Sequence, residues 1–124
     1  MSKTYSGEGN VINYTAAATH SAGDAIAIGG LLGVCLSDAV SGDVIAVALS
    51  GVYALPKVDA AVIGLGETIT WDISAASGVG EADDAAATPA TGDLTLGCVA
   101  MEAKGATTSE TILVKLNVAV NTVT

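Results

Sequence analysis

The stretch SGDVIAVALSGVYALPK, from Ser41 to Lys57, decides the fold that we expect for this chain. Residues 44–55 carry no charge and are rich in Val and Ile, which favour strands, and Pro56 closes the run because proline cannot donate to a sheet ladder. We therefore predict one long strand, with Gly51 as the place for a bend or bulge. Its two alternating faces are Ile45, Val47, Leu49, Tyr53 and Leu55 on one side, and Val44, Ala46, Ala48, Ser50, Val52 and Ala54 on the other.

Both faces of this strand are mainly apolar, so we expect both to be covered. Burying the five large side chains at roughly 1.5 to 3 kcal/mol each contributes about 8 to 15 kcal/mol, which rivals the net stability of a small domain. A central position in the core follows. The face of small residues favours close approach by another sheet or another subunit, and we predict a subunit interface there, formed by Val44, Ala46, Ala48 and Val52.

The flanking sequence predicts further short strands. Two apolar runs, Ala25–Ile28 and Leu31–Leu36, are joined by Gly29 and Gly30, which predicts a two-residue hairpin with Ile28 opposite Leu31 and Ile26 opposite Gly33. The other expected strands are residues 10–15, 66–73, 94–103 and 111–118. About seven short antiparallel strands predict an all-β fold, either a small β-barrel or a β-sandwich.

The rest of the chain is expected to serve this one domain. Residues 1–9 predict a flexible N-terminal arm, residues 10–118 a single β domain and residues 119–124 a tail. Residues 74–92 predict a long surface loop, with a short strand near Val79 as the alternative. A glycine followed by an acid precedes four of the apolar runs, at residues 23, 42, 66 and 92, and predicts a tight turn with a solvated acid.

Charge and composition exclude several classes of partner. Lys and Arg number 4 against 13 Asp and Glu, for a net charge of -9, whereas a DNA-binding protein commonly makes about 6 to 10 basic phosphate contacts. No uncharged run reaches the roughly 18 to 20 residues of a membrane helix. We therefore expect no nucleic-acid or membrane partner and synthesis in the cytoplasm. Cys35 and Cys98 lie in apolar patterns and are expected as buried, reduced thiols.

Chemical motifs are sparse. The chain lacks a phosphate-binding lysine loop and a GxSxG motif, and His20 is its single imidazole, so we expect no enzyme activity, no cofactor and no metal site. The acids from Glu81 to Asp84 predict a solvated loop, with a weak calcium site as the alternative. A hydrolase would need paired acids such as Asp72 and Glu102. Trp71 is expected in the core with its ring edge near solvent.

The order of these features resembles a known family. The strand VINYTA, the block from Ser21 to Lys57, the segment GETITWD and the ending LGCVAMEAKGATTSETILVKLN are similar to small tailed-phage and prophage proteins, formerly a domain of unknown function and now described as capsid cement or head decoration proteins. The resemblance implies a non-enzymatic virion protein on the capsid exterior, made in the bacterial host cytoplasm, with the major capsid protein as its partner. The longer acidic stretch at residues 81–84 departs from the family pattern.

The resemblance also frames two hypotheses about contacts. The arm around Lys3, Thr4 and Tyr5 is polar, glycine-hinged and carries an aromatic anchor, so we expect it to dock on the capsid. The small apolar face and the threefold positions of a shell favour a homotrimer. The alternative functions are another non-enzymatic phage module, such as a tail or fibre component, and a carboxylate-based hydrolase.

Overall fold

The computed structural model of the chain describes residues 9–106 and 111–124. Within those ranges the chain forms antiparallel strands and one helical turn. The strands are β1 (Val11–Thr15), β2 (Ala25–Ile28), β3 (Leu31–Cys35), β4 (Val44–Ala48), β5 (Val52–Pro56), β6 (Thr70–Asp72), β7 (Glu81–Asp83), β8 (Leu94–Thr95), β9 (Val99–Ala100), β10 (Thr111–Lys115) and β11 (Thr122–Val123), and the helical turn is α1 (Ala75–Gly78).

These strands build three sheets. The first sheet has the order β1-β4-β3-β2, the second β5-β10-β9 and the third β11-β8-β6-β7. None of the three closes into a barrel, and the arrangement is a small β-sandwich-like fold. The all-β prediction is confirmed, and of the two architectures expected the sandwich is the one that fits.

The hairpin predicted around Gly29 and Gly30 is confirmed in its register. Ile28 lies opposite Leu31, and Ile26 lies opposite Gly33. β4 follows on the far side of β3, and β1 then pairs with the other edge of β4. The first sheet therefore combines a sequential three-strand meander with one strand from near the N-terminal end.

The prediction of one long strand from Val44 to Leu55 is wrong. β4 ends at Ala48, β5 begins at Val52, and the two strands belong to different sheets. The chain turns at Gly51, whose φ of +107° confirms the bend expected there. The bend has a packing reason, because Val47 is buried in a cluster on the first sheet while Leu55 is buried in the main core.

The main core gathers side chains from all three sheets. Trp71 is 2% exposed and lies among them, which confirms it as a core residue, but the expectation that its ring edge lies near solvent is wrong because the whole side chain is buried. Its fully buried large neighbours are Leu32, Leu55, Ile63, Ile69, Leu94, Ile112 and Val114. A smaller cluster, which includes Ile26, Cys35 and Val47, covers the opposite side of the first sheet. The core is aliphatic apart from one indole, as the lack of Phe requires.

Three of the glycine-acid turns share one geometry. They span Ser21–Asp24, Val40–Asp43 and Ala90–Asp93, and the third residue of each is a glycine with φ between +93° and +97°, where other residues are strained. In each turn the first residue donates its N–H to the carboxylate of the last at 2.9–3.0 Å and accepts the backbone N–H of the last at 3.0 Å. The carboxylate thus caps its own turn.

The expectation that these acids are solvated is wrong for Asp93. Its side chain is 3% exposed. Besides capping its turn, the Asp93 carboxylate accepts the Ile73 N–H at 3.1 Å, so it also holds the chain beyond β6. A buried carboxylate is tolerated because backbone N–H groups replace its water.

Two segments expected to be irregular contribute strands. The residue 74–92 segment contains α1 and β7, and β7 pairs with β6, which confirms the alternative of a short strand near Val79. Residues 119–124, expected as a tail, contain β11, which pairs with β8. The predicted strand at residues 94–103 is instead two short strands, β8 and β9, in different sheets.

Candidate functional site

The residues predicted for a subunit interface lie on β4 and β5. Val44 is 67% exposed and Val52 is 47% exposed, while Ala46 is half-buried. Ala48 is 3% exposed and packs within the chain's own core, so little of its surface is left for another subunit. The predicted interface has therefore two large exposed apolar side chains, and its role in association stays a prediction.

The exposed apolar surface continues from β5 onto β10. The register places Ala54 opposite Leu113, and both are exposed on the outward side of the second sheet together with Val52. We call these three residues the outer β5–β10 face. Exposed apolar side chains that adjoin one another, unlike single ones, are typical of surfaces that contact a partner.

The residues predicted to dock on another protein through the N-terminal arm, Lys3, Thr4 and Tyr5, lie outside the described residues. The described part of the chain begins at Gly9, two residues before the first residue of β1. Their role as a docking arm stays a prediction.

The acids considered for hydrolysis belong to different parts of the fold. The Asp72 carboxylate, on β6 of the third sheet, accepts the backbone N–H of Ser74 at 3.0 Å and its hydroxyl at 2.8 Å. The Glu102 carboxylate instead accepts the Leu113 N–H at 3.1 Å, beside the second sheet. Each carboxylate thus accepts hydrogen bonds from its own part of the fold.

The acidic residues 81–84 are arranged along a strand and a turn. Glu81 and Asp83 lie on β7, and the Asp83 and Asp84 carboxylates accept backbone N–H groups of Asp84 and Ala86 at 2.8 and 2.9 Å. Among residues 9–106 and 111–124, no group of three or more His, Cys, Asp and Glu side chains could hold a metal ion.

Lys57, which directly follows β5, is a buried lysine. Its side chain is 1% exposed, and its ammonium group donates to the carbonyl oxygens of Val58 at 2.7 Å, Asp59 at 3.3 Å and Ala61 at 2.8 Å. These three acceptors match the three N–H bonds of an ammonium group. The lysine therefore clamps the turn that follows β5.

Two asparagines for which the sequence predicts no role connect the C-terminal segment to the first sheet by hydrogen bonds. The Asn117 carboxamide bonds the backbone of Leu32 and donates to the Leu49 carbonyl at 2.8 Å. Asn121 donates from its backbone and its side chain to the Gly30 carbonyl, at 2.8 and 3.0 Å. In the sequence these residues are marked only by their spacing, since the two asparagines lie four residues apart on either side of Val118–Val120.

The two cysteines are buried and free, as expected. Burial raises the pKa of the Cys98 thiol, although hydrogen bonds from the Asn117 backbone and the Asn121 side chain act in the opposite direction. Burial also raises the pKa of the Cys35 thiol, and the nearby Asp24 carboxylate adds to the rise. Both thiols are thus held in the unreactive, protonated form.

Two adjoining clefts open at the end of the first sheet. The larger, of about 500 Å³, lies between β1 and β2 on one side and β6 and α1 on the other. The smaller, of about 330 Å³, is lined by residues of the turns around Asp38 and Asp43. Thr19 and His20 line both clefts. The sequence predicts no cleft here, because its walls come from segments about fifty residues apart.

Comparison with known proteins identifies one family. A family model described as phage cement protein matches residues 6–116. No curated protein and no solved structure matches the chain. Within the described residues, helices long and apolar enough for a bilayer crossing are absent.

Proposed function

This chain belongs to the phage cement protein family, and on that premise we propose that it binds the outside of an assembled phage head and stabilises the capsid lattice. Cement proteins are structural components associated with phage capsids. The family match carries the proposal, because it spans residues 6–116 and so includes every strand from β1 to β10. The role needs binding surfaces and no catalysis.

Stabilisation by a cement protein follows from linkage. A protein that binds the assembled lattice and not the free subunits stabilises each site by about 2.7 kcal/mol at a hundredfold excess over its Kd. Because the sites repeat over the shell, the stabilisation free energies of many modest interfaces sum over the whole particle. A net charge of -9 suits an outer surface that needs no contact with the packaged DNA.

The proposed contacts are of two kinds. The N-terminal arm, with Lys3, Thr4 and Tyr5, docks on the major capsid protein. The exposed apolar side chains of Val44 and Val52 join copies of this chain into a homotrimer, supported by the exposure of both side chains on two consecutive strands that belong to different sheets. The half-buried Ala46 lies on the same strand as Val44.

Sedimentation with undecorated heads tests the proposed function. The purified chain is mixed with heads that lack it, and the pelleted heads are then challenged by heat or chelator. Co-sedimentation to a saturating level, together with resistance of the heads to disruption, is the expected result. A chain that stays in the supernatant, or that pellets with tails and not with heads, contradicts the proposal.

Deleting residues 2–9 tests the arm in the same assay. The deletion ends before β1, so every described strand is kept. Loss of binding to heads with unchanged circular dichroism is expected, and binding equal to that of the full chain would dismiss the arm as a docking element.

A further inference from the structure

The two clefts at the end of the first sheet combine an apolar wall with a negative rim. The larger cleft is lined on its apolar side by Tyr14, Ile26, Trp71 and Ile73. Tyr14 and Ile73 are half-buried, so their side chains are partly accessible, while the nearly buried Trp71 closes the inner end. At about 500 Å³ the cleft can enclose one or two side chains of a partner.

Carboxylates supply the charge of these clefts. Asp24 lines the larger cleft, Asp38 and Asp43 line the smaller, and no lysine or arginine is among the lining residues of either. Each carboxylate is fixed by a backbone N–H: Asp24 accepts from Ser21 at 3.0 Å, Asp38 from Ala22 at 2.8 Å and Asp43 from Val40 at 3.0 Å. The negative charges are therefore positioned before any partner arrives.

The rim on the α1 side has an unusual backbone. Ala76 and Ser77 have φ values of +51° and +60°, in the left-handed region that residues other than glycine rarely adopt, and Ser77 lines the larger cleft. Backbone strain of this kind clusters at ligand clamps and switch regions. Here it sits on the wall that faces β2.

We propose that the joined clefts dock a segment of the capsid protein in which a lysine or arginine side chain lies beside an apolar one. This inference rests on the proposed function and adds a second contact, separate from the N-terminal arm. Charge complementarity decides the occupant, because the rim is acidic and the wall is apolar. A basic side chain has both characters: its alkyl stem packs on Tyr14 and Ile26, and its head reaches the Asp24 carboxylate.

Two substitutions separate charge from shape. Asp24→Asn removes the charge, but its amide oxygen can still accept the Ser21 N–H, so the turn is retained. Ala18→Trp places a large side chain in the larger cleft from an exposed position of its lining. The matched controls lie outside both clefts. Asp84→Asn removes a charge and keeps an oxygen that can accept the Ala86 N–H. Ala60→Trp introduces the same large side chain at another exposed alanine.

Binding of each variant to undecorated heads is measured at two salt concentrations. We expect Asp24→Asn to bind heads about tenfold more weakly than the parent chain and with a smaller dependence on salt. A charge pair at an interface contributes to the affinity and also makes the affinity depend on salt. Ala18→Trp should abolish most binding at either salt concentration. Both controls should bind as the parent chain does, and circular dichroism should show all four variants folded.

The outcomes distinguish this inference from the proposed function. Parent chain that fails to bind heads overturns the proposed function itself. Parent chain that binds heads, with Asp24→Asn and Ala18→Trp binding equally well, overturns the cleft as a docking site and leaves the proposed function standing. Weaker binding of Ala18→Trp with no effect of Asp24→Asn or of salt overturns the basic occupant, because the partner would then be purely apolar.

Discussion

The carboxamide of Asn117 pairs with both backbone groups of Leu32: its Oδ1 accepts the Leu32 N–H at 2.9 Å, and its Nδ2 donates to the Leu32 carbonyl at 2.8 Å. The ladder between β3 and β4 pairs only Val34 and Cys35 of β3, and at Leu32 the amide side chain supplies the two hydrogen bonds that a neighbouring strand would make. The φ of Asn117 is +47°, a conformation that asparagine tolerates better than most residues. One side chain thus joins the C-terminal segment to the first sheet.

Asn117→Ala is expected to lower the free energy of unfolding by about 2–4 kcal/mol, because the Leu32 N–H and two carbonyls lose their partner in a partly buried site. Urea titration followed by circular dichroism measures the change. Asn13→Ala, at an exposed position on β1, is the control and should shift stability by no more than about 0.5 kcal/mol. Equal midpoints for the two variants would contradict this structural role.

Lys57→Met is expected to destabilise the fold by about 2–4 kcal/mol. The substitution keeps an unbranched side chain one atom shorter than lysine but leaves the carbonyls of Val58 and Ala61 without their charged donor. Lys115→Met, at an exposed position of β10, removes the same charge and should change stability by no more than about 0.5 kcal/mol. Urea denaturation midpoints of both variants measure these changes. A Lys57→Met midpoint equal to that of the parent chain would show that the hydrogen bonds of Lys57 do not contribute to the free energy of unfolding.

Gly80→Ala is expected to destabilise the fold by about 1–3 kcal/mol and to shift the fluorescence of Trp71. The φ of Gly80 is +97°, and a Cβ there would lie 2.6 Å from Cζ2 of the indole. Since Trp71 is the single tryptophan, its emission reports the disturbance directly. Gly105→Ala is the control, because a Cβ at that position would meet nothing within 4 Å. An unshifted spectrum for Gly80→Ala would contradict the close contact between ring and backbone.

The buried Cys98 thiol predicts a loss of stability in alkaline solution. Its pKa is raised in the folded chain, so unfolding favours loss of the proton. Its contribution to stability is therefore complete below the unfolded thiol pKa of about 8.5 and is lost as the pH rises through the folded pKa. Urea titrations at neutral and alkaline pH should show the stability gap between the parent chain and Cys98→Ala narrowing as the pH rises. A gap that stays constant would show that the thiol does not titrate within that range.

The proposed homotrimer predicts a solution mass of about three times the chain mass of 12.0 kDa. Val44→Glu and Val52→Glu introduce charge at exposed positions and should yield folded monomers by light scattering. Leu65→Glu, at another exposed apolar position outside these strands, should keep the parental mass. Variants at residues 44 and 52 that keep the parental mass would place the subunit contact elsewhere.

Local features of the fold could be predicted from the sequence. The hairpin at Gly29 and Gly30 was predicted in the correct register because a two-residue turn fixes which residues face each other. The alternation from Ser41 to Lys57 correctly grouped Ile45, Val47 and Leu55, which are all buried, whereas the opposite face, also expected to be covered, exposes Val44 and Val52 in the single chain. The same alternation continues across Gly51, so it could not show that the two halves join different sheets.

Long-range features could not be predicted in this way. Lys57 and Asn117 bond backbone carbonyls, which every residue has and no side-chain pattern marks. The larger cleft forms where residues near β2 meet residues near β6, and only the packing of two sheets brings them together. The burial of Ala48, which was expected in a subunit interface, has the same origin, because that part of β4 lies against the chain's own main core.

The bend at Gly51 has a mechanical consequence. Only residues 49–51 separate β4 from β5, so the first and second sheets are coupled through a few covalent bonds with almost no slack. A displacement of one sheet is therefore passed to the other through three residues, which can extend very little. In the proposed role on a phage head, a partner contact made by one sheet would therefore restrain the contacts made by the other.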